Sequence, residues 1–285
     1  MSEYQYYEFL AVDRPLTEAE QDEVREFSSR ARITATSFVN EYHGGDFRGD
    51  PGHLMGHYYD AHLYLASWGT HRIMLRMPST LLDPAIAGKY CVDDRVTMSV
   101  ASEHLIIDIV SEDEEEDEEG DWEEDAEDSL AAIVGVRAEL ASGDLRPLYL
   151  AWLSAYGAWE RDEDAFDEED EDLREPPVPA GLGSLTAAQR ALADFLRVDT
   201  DLLKVAAEAS PPRSAGRDDP GALAARIAGL PDGEKNRLLL MAAQDQGARV
   251  KMELLRGLGD SGAGFGTEPG RTVGELLDAA ALRRQ

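Results

Sequence analysis

From Ser111 to Asp128 the chain reads SEDEEEDEEGDWEEDAED, fourteen acidic side chains without a basic one. Like charges at this density repel, and so few apolar residues cannot offset the entropy lost on ordering, so the run is expected to stay outside any packed core. A second run, residues 160–175, holds eleven acids against Arg161 and Arg174. Together the two account for −23 of the formal net charge of −31, which leaves the rest of the 285-residue chain close to balanced and free to fold normally. The first run also marks a change in apolar periodicity, from about 2 before it to about 3.6 after it.

Before the run, strand-like and helix-like segments alternate. Tyr6 to Val12 is aromatic and β-favouring and stops at Asp13-Arg14-Pro15, where proline ends the ladder. Thr17-Glu18-Ala19-Glu20 has capping-box spacing, and Val24, Phe27 and Ala31 then mark one face of a helix over 18–31. Ile33 to Tyr42 reads as a strand. Asp50-Pro51 opens a second helix whose apolar stripe, Leu54, Tyr58, Ala61 and Leu65, runs until Gly69. Ile73, Leu75 and Met77 alternate with Arg72, Met74 and Arg76 in the period-2 pattern of a half-buried strand. A short helix near Leu81 to Ala87 follows, and then a hairpin built from Val96, Met98 and Val100 and from Leu105, Ile107 and Ile109. This order predicts an α+β domain over 1–110, one mixed sheet with helices on one face, with a ferredoxin-like sandwich as the closest shape.

After Ser129 the expectation is all-helical. A pair over 129–159 breaks at Ser142-Gly143, an acidic and Pro/Gly-rich linker spans 160–183, and a helical domain fills 184–285 with helices near 187–197, 201–208, 221–230, 233–257 and 273–283. A single cysteine, Cys91, excludes an internal disulfide framework and fits a reducing, cytoplasmic setting. No apolar stretch approaches the roughly 20 residues that a bilayer requires, so no membrane span is expected.

Candidate sites are few. His53, His57 and Asp60 fall at i, i+4 and i+7 of the expected second helix, a spacing that would turn two imidazoles and a carboxylate to one side and let them share a divalent metal ion. No glutamate adjoins the first histidine as in the metalloprotease pattern. Cys91, His104 and Asp108 supply the residue types of a nucleophile, a base and an orienting group, although sequence does not bring them together and packing is the better account of Cys91. Gly262-Ala263-Gly264-Phe265-Gly266 lacks both the preceding strand of a dinucleotide fold and the Gly-Lys-Ser/Thr of a P-loop, so a linker is expected there. Tyr149, Trp152, Tyr156 and Trp159 form an aromatic stripe at helical spacing, which is expected to fill a core. Arg30, Arg32, Arg72 and Arg76 are too few to predict nucleic-acid binding, and pairing with an acidic run is their expected use.

Tyr7-Glu8-Phe9-Leu10-Ala11-Val12-Asp13-Arg14-Pro15-Leu16, Asn40-Glu41-Tyr42-His43, Gly45-Asp46-Phe47 and Tyr64-Leu65-Ala66-Ser67-Trp68-Gly69-Thr70 resemble segments of an uncharacterised bacterial protein family. The resemblance covers mainly the first 80 residues. It implies no activity, but a gene neighbourhood shared with SWIM-type zinc-finger proteins and hence a place in a multiprotein system. The resulting expectation is a non-enzymatic interaction or adaptor protein. Its partner-binding residues would be Glu114, Glu115, Glu116, Asp117, Glu118, Glu119, Glu168, Glu169 and Asp170, held against a basic protein such as a SWIM zinc-finger protein. The alternatives are a metal-dependent hydrolytic enzyme using His53, His57 and Asp60, without other cofactors, and a nucleic-acid mimic whose charges imitate phosphate spacing.

Overall fold

A computed structural model describes residues 4–113, 126, 128–157, 173–212, 220–243, 250, 253–254 and 270–284. Seven strands form one sheet: β1 (Tyr4–Leu10), β2 (Arg32–Ile33), β3 (Ser37–His43), β4 (Ala61–Ala66), β5 (Thr70–Pro78), β6 (Val96–Ala101) and β7 (His104–Glu112). Their spatial order is β2-β3-β1-β4-β5-β7-β6, and each neighbouring pair is antiparallel. The expected mixed sheet is therefore corrected to an antiparallel one, and its strand order is not that of a ferredoxin-like sandwich.

Helix length explains the difference. The helices between strands are α1 (Glu18–Arg25), α2 (Pro51–His57) and α3 (Pro84–Ala87), the last followed by a 3₁₀ turn over Gly88–Tyr90. At about 1.5 Å per residue, the eight residues of α1 span about 12 Å, whereas the seven of β1 span about 23 Å. Helices this short turn the chain round but do not carry it back for a parallel crossover.

The start signals of these helices are realised. Thr17 and Glu20 form a reciprocal capping box, and Asp50 caps α2 with Pro51 in its first turn. The stop signals differ from expectation: α1 ends at Arg25, and α2 ends at His57, so residues 61–66 form a strand and not further helix. β4 is buried on both faces, with Ala61, Leu63 and Leu65 on one and His62 on the other. Its apolar residues thus satisfy a helical stripe as well as a strand. A two-sided core in β4 follows from helices covering both faces of the sheet, where one covered face was expected.

One face meets α1 and α2 through a cluster that includes Phe9, Phe38, Leu54, Met55, Tyr59, Met74 and Ile106. The opposite face carries Tyr6, Leu63, Ile73, Leu75, Leu105 and Ile107 and shares a larger core with the helical half. That half comprises α4 (Ser129–Ile133), α5 (Gly135–Ala141), α6 (Arg146–Gly157), α7 (Ala187–Phe195), α8 (Thr200–Ala209), α9 (Pro220–Gly229), α10 (Asp232–Ala243) and α11 (Val273–Arg284). Leu130, Val136, Leu150, Leu192, Leu202 and Leu276 bring α4 to α8 and α11 into the same cluster as the sheet. Sheet and helices are therefore joined by a common core across the acidic run. No helix among the described residues is long and apolar enough to cross a membrane.

Candidate functional site

The residues with the most chemistry in the N-terminal half lie on the α2 side of the sheet. Asp60 sits in the turn between α2 and β4, 1% exposed. One carboxylate oxygen accepts the backbone N–H groups of Val12 at 2.7 Å and Asp13 at 2.8 Å. The other accepts Arg76 Nη2 at 2.9 Å and Nε at 3.2 Å. Four donors fill the acceptor capacity of a carboxylate. Arg137 of α5 lies 3.9 Å from Asp60, forks onto Asp13 at 2.9 and 2.6 Å, and donates through Nε to the Arg76 carbonyl at 2.5 Å. This network ties the turn before β4 to β5 and to the helical half.

His53 and His57 behave differently. Both are exposed on α2, and their ring centroids are 4.2 Å apart. Asp60 does not join them, because the helix ends before it and its oxygens are turned inward. Among the described residues no group of three or more His, Cys, Asp or Glu side chains is placed to hold a metal ion.

Cys91, His104 and Asp108 are also kept apart. Cys91 precedes β6 at the end where Val92 bridges Val96, whereas His104 pairs with Ala101 at the far end of that strand. Five residues of strand separate them, about 16 Å. Asp108 is bound bidentately by Arg72 at 2.8 and 2.6 Å. Cys91 is exposed, and partial desolvation raises its thiol pKa, away from the reactive thiolate. The arginines named from sequence find partners inside the fold: Arg72 with Asp108, Arg76 with Asp60 and Arg32 with Glu41 at 3.6 Å. The expected pairing of Arg72 and Arg76 with an acidic run is corrected accordingly.

Beside Asp60 lies an aromatic layer that sequence reading did not single out. Gln5 is its polar centre: its amide oxygen accepts from the hydroxyls of Tyr7 at 2.8 Å and Tyr64 at 3.1 Å, and its nitrogen donates to Asp46 at 2.9 Å and the Gly45 carbonyl at 3.1 Å. Burial raises the pKa of Tyr7 and of Tyr64, so both stay neutral donors. His62 is fully buried and stacks on Phe9 with centroids 3.9 Å apart. A carbonyl cannot donate, so the 2.9 Å contact between His62 Nδ1 and the Glu8 oxygen places the ring proton on Nδ1. Among the described residues Nε2 is then a buried acceptor without a hydrogen-bond partner, and the buried Tyr59 hydroxyl has none either. Desolvation lowers the His62 pKa to about 3. The signal that could have located this layer is the period of two in 61–66, which puts His62 and Tyr64 on the side of Tyr7 and Phe9.

In the helical half, Tyr149, Trp152 and Tyr156 are buried in the common core, as expected for a core stripe. Trp159 lies outside the described residues. Glu175, counted above with the second acidic run, is 6% exposed and belongs to the fold. It accepts the Tyr149 hydroxyl, and Arg271 Nε and Nη2 reach it at 2.9 Å each. Burial, and then the Glu175 charge, raise the Tyr149 pKa. Arg146, 0% exposed, grips Asp144 at 2.6 Å and the carbonyls of Gly181 and Ser184 at 3.1 and 2.9 Å. Gln189 adds bonds to Glu139 at 2.8 Å and to Asp144 at 3.3 Å. These clusters are closed: their donors and acceptors satisfy one another and hold elements together.

The partner-binding candidates Glu114, Glu115, Glu116, Asp117, Glu118, Glu119, Glu168, Glu169 and Asp170 lie outside the described residues, as does Gly262 to Gly266. The elements that precede the two acidic runs in the chain are described. β7 ends at Glu112 and α6 at Gly157. Arg95 joins the two ends, its carbonyl accepting Val110 N–H at 2.7 Å and its guanidinium donating to the Ala155 carbonyl at 2.5 Å. The described ends of β7 and α6 therefore lie at one corner of the fold.

No family model, curated protein or solved structure matches the chain.

Proposed function

We propose that this chain is a cytoplasmic, non-enzymatic interaction module whose two acidic segments engage one basic protein partner. The observation that carries this reading is the separation of its charges. The two segments hold −23 of the net −31; Arg271 takes Glu175 of the second segment into the fold, while Arg72, Arg76, Arg137 and Arg146 are committed to carboxylates outside both segments. These four arginines thus do not neutralise the acidic segments, and the field of the segments is directed at a second molecule. Because the elements that precede both segments end at the corner marked by Arg95, a partner held by one segment is within reach of the other, and the second contact forms at high effective concentration. The resemblance of residues 7–70 to a family encoded beside SWIM zinc-finger proteins supports such a protein as the partner. Direct nucleic-acid binding is opposed by the same negative field.

The test is affinity capture from the native cell at low and high ionic strength, using the full chain and a variant lacking 114–125 and 160–172. The expected result is a partner retained at low salt, released at high salt and missed by the deletion variant. Equal capture by both forms at both ionic strengths would refute the proposal.

A further inference from the structure

We infer that His53 and His57 form a two-imidazole clamp on α2 for a borderline divalent cation, Zn2+ or Cu2+, independently of the acidic segments and without Asp60. Four observations support the clamp. The residues are one helical turn apart, so their side chains leave the same side of α2. Their ring centroids stand 4.2 Å apart with the planes tilted by 32°, close enough for one nitrogen of each to approach a common point after small rotations. Both are exposed, so an ion reaches them without opening the core.

The fourth observation concerns the proton. His57 Nδ1 lies 2.9 Å from the His53 carbonyl oxygen, which can only accept, so the neutral ring carries its proton on Nδ1 and offers its lone pair on Nε2. A backbone carbonyl holding the second ring nitrogen is the arrangement that orients a metal-ligating histidine and fixes its tautomer. Tyr58 stands beside both rings, at 6.3 and 6.1 Å, and its hydroxyl donates to Glu23 at 2.9 Å, which fixes a carboxylate charge near this side of α2.

Two imidazoles suit the nitrogen-preferring end of the divalent series, where Cu2+ binds most tightly and Zn2+ is a close competitor. The remaining coordination positions fall to water, because no third His, Cys, Asp or Glu among the described residues is placed to join. Hard cations such as Mg2+ and Ca2+, which require oxygen ligands, are excluded from the clamp.

The experiment uses the full chain with less than one equivalent of Cu2+ and reads nitrogen hyperfine coupling by electron paramagnetic resonance. Zn2+ is titrated in parallel while the ring C–H resonances of the histidines are followed. The expected result is coupling to two imidazole nitrogens, Zn2+ shifts confined to His53 and His57, and affinity that falls about tenfold or more in either His53→Gln or His57→Gln. His104→Gln serves as the control and leaves binding unchanged. Because both ligands are exposed, circular dichroism and melting temperature verify that each variant is folded. A spectrum showing oxygen ligands alone, as the acidic segments would give, or nitrogen coupling that survives His57→Gln, would overturn the clamp.

Discussion

His62 makes the stability of the fold depend on pH in a window where carboxylates contribute little. Its ring is fully buried against Phe9, its Nδ1–H donates to the Glu8 carbonyl, and among the described residues Nε2 has no hydrogen-bond partner. A second proton would therefore bury an imidazolium in an aromatic layer, with Arg72 adding repulsion, and the folded-state pKa falls to about 3 from the ordinary 6.5. The unfolded chain takes up that proton near pH 6.5 while the native state refuses it. The stability is fully present above pH 6.5 and declines as the pH falls toward 3. The loss approaches about 1.4 kcal/mol for each pH unit, so on the order of 2 kcal/mol is gone by pH 5. Urea titrations at pH 7, 6 and 5 on the native chain and on His62→Phe measure it. The two are expected to differ in pH dependence by about 2 kcal/mol between pH 7 and pH 5, with unchanged m-values. Parallel curves for the two proteins would refute the argument.

Further outcomes follow from single contacts. Asp60→Ala leaves Arg76 and Arg137 buried without their shared carboxylate and should cost about 3–5 kcal/mol in denaturant titration. Asp108→Ala removes a half-exposed pair, screened by solvent, and should cost about 1 kcal/mol or less in the same assay. Gly69 has φ +89°, and a Cβ there would lie 1.8 Å from the Asp113 carbonyl oxygen. Gly69→Ala should therefore destabilise the chain by about 2–4 kcal/mol, read as a lowered melting temperature. Glu175→Gln weakens the clasp of Tyr149 and Arg271, and amide exchange should accelerate selectively over residues 271–284.

Local signals with one physical meaning were legible in the sequence. Thr17, Asp50, Thr186 and Asp199 announce helix starts by side-chain oxygens that accept from the first turn, and all four do so. Ile73 to Met77 and Leu105 to Ile109 alternate because one face of these strands is apolar throughout while the other carries the paired Arg72, Arg76 and Asp108 beside Met74 and Ile106, which makes β5 and β7 readable. β4 was not, since Ala61-His-Leu-Tyr-Leu-Ala is buried on both sides and its stripe with Leu54 and Tyr58 also fits a helix. That ambiguity carried over to the site. Asp60 was noticed as a chemical group, but its direction depends on where α2 stops, and stopping at His57 turns it from a ligand of an exposed ion into the anchor of Arg76. Glu175 shows the same limit, because a carboxylate at the end of an acidic run becomes a core group through Arg271, 96 residues away.

The most direct test of the interaction module is the salt dependence of its affinity for the captured partner, measured with purified components. The native chain is compared with a variant carrying amides at Glu114 to Glu119, Glu168, Glu169 and Asp170. The native chain should give a steep linear fall of log affinity with log salt concentration, and the variant a shallow one with weaker binding at low salt. Identical slopes and affinities for the two proteins would contradict the account.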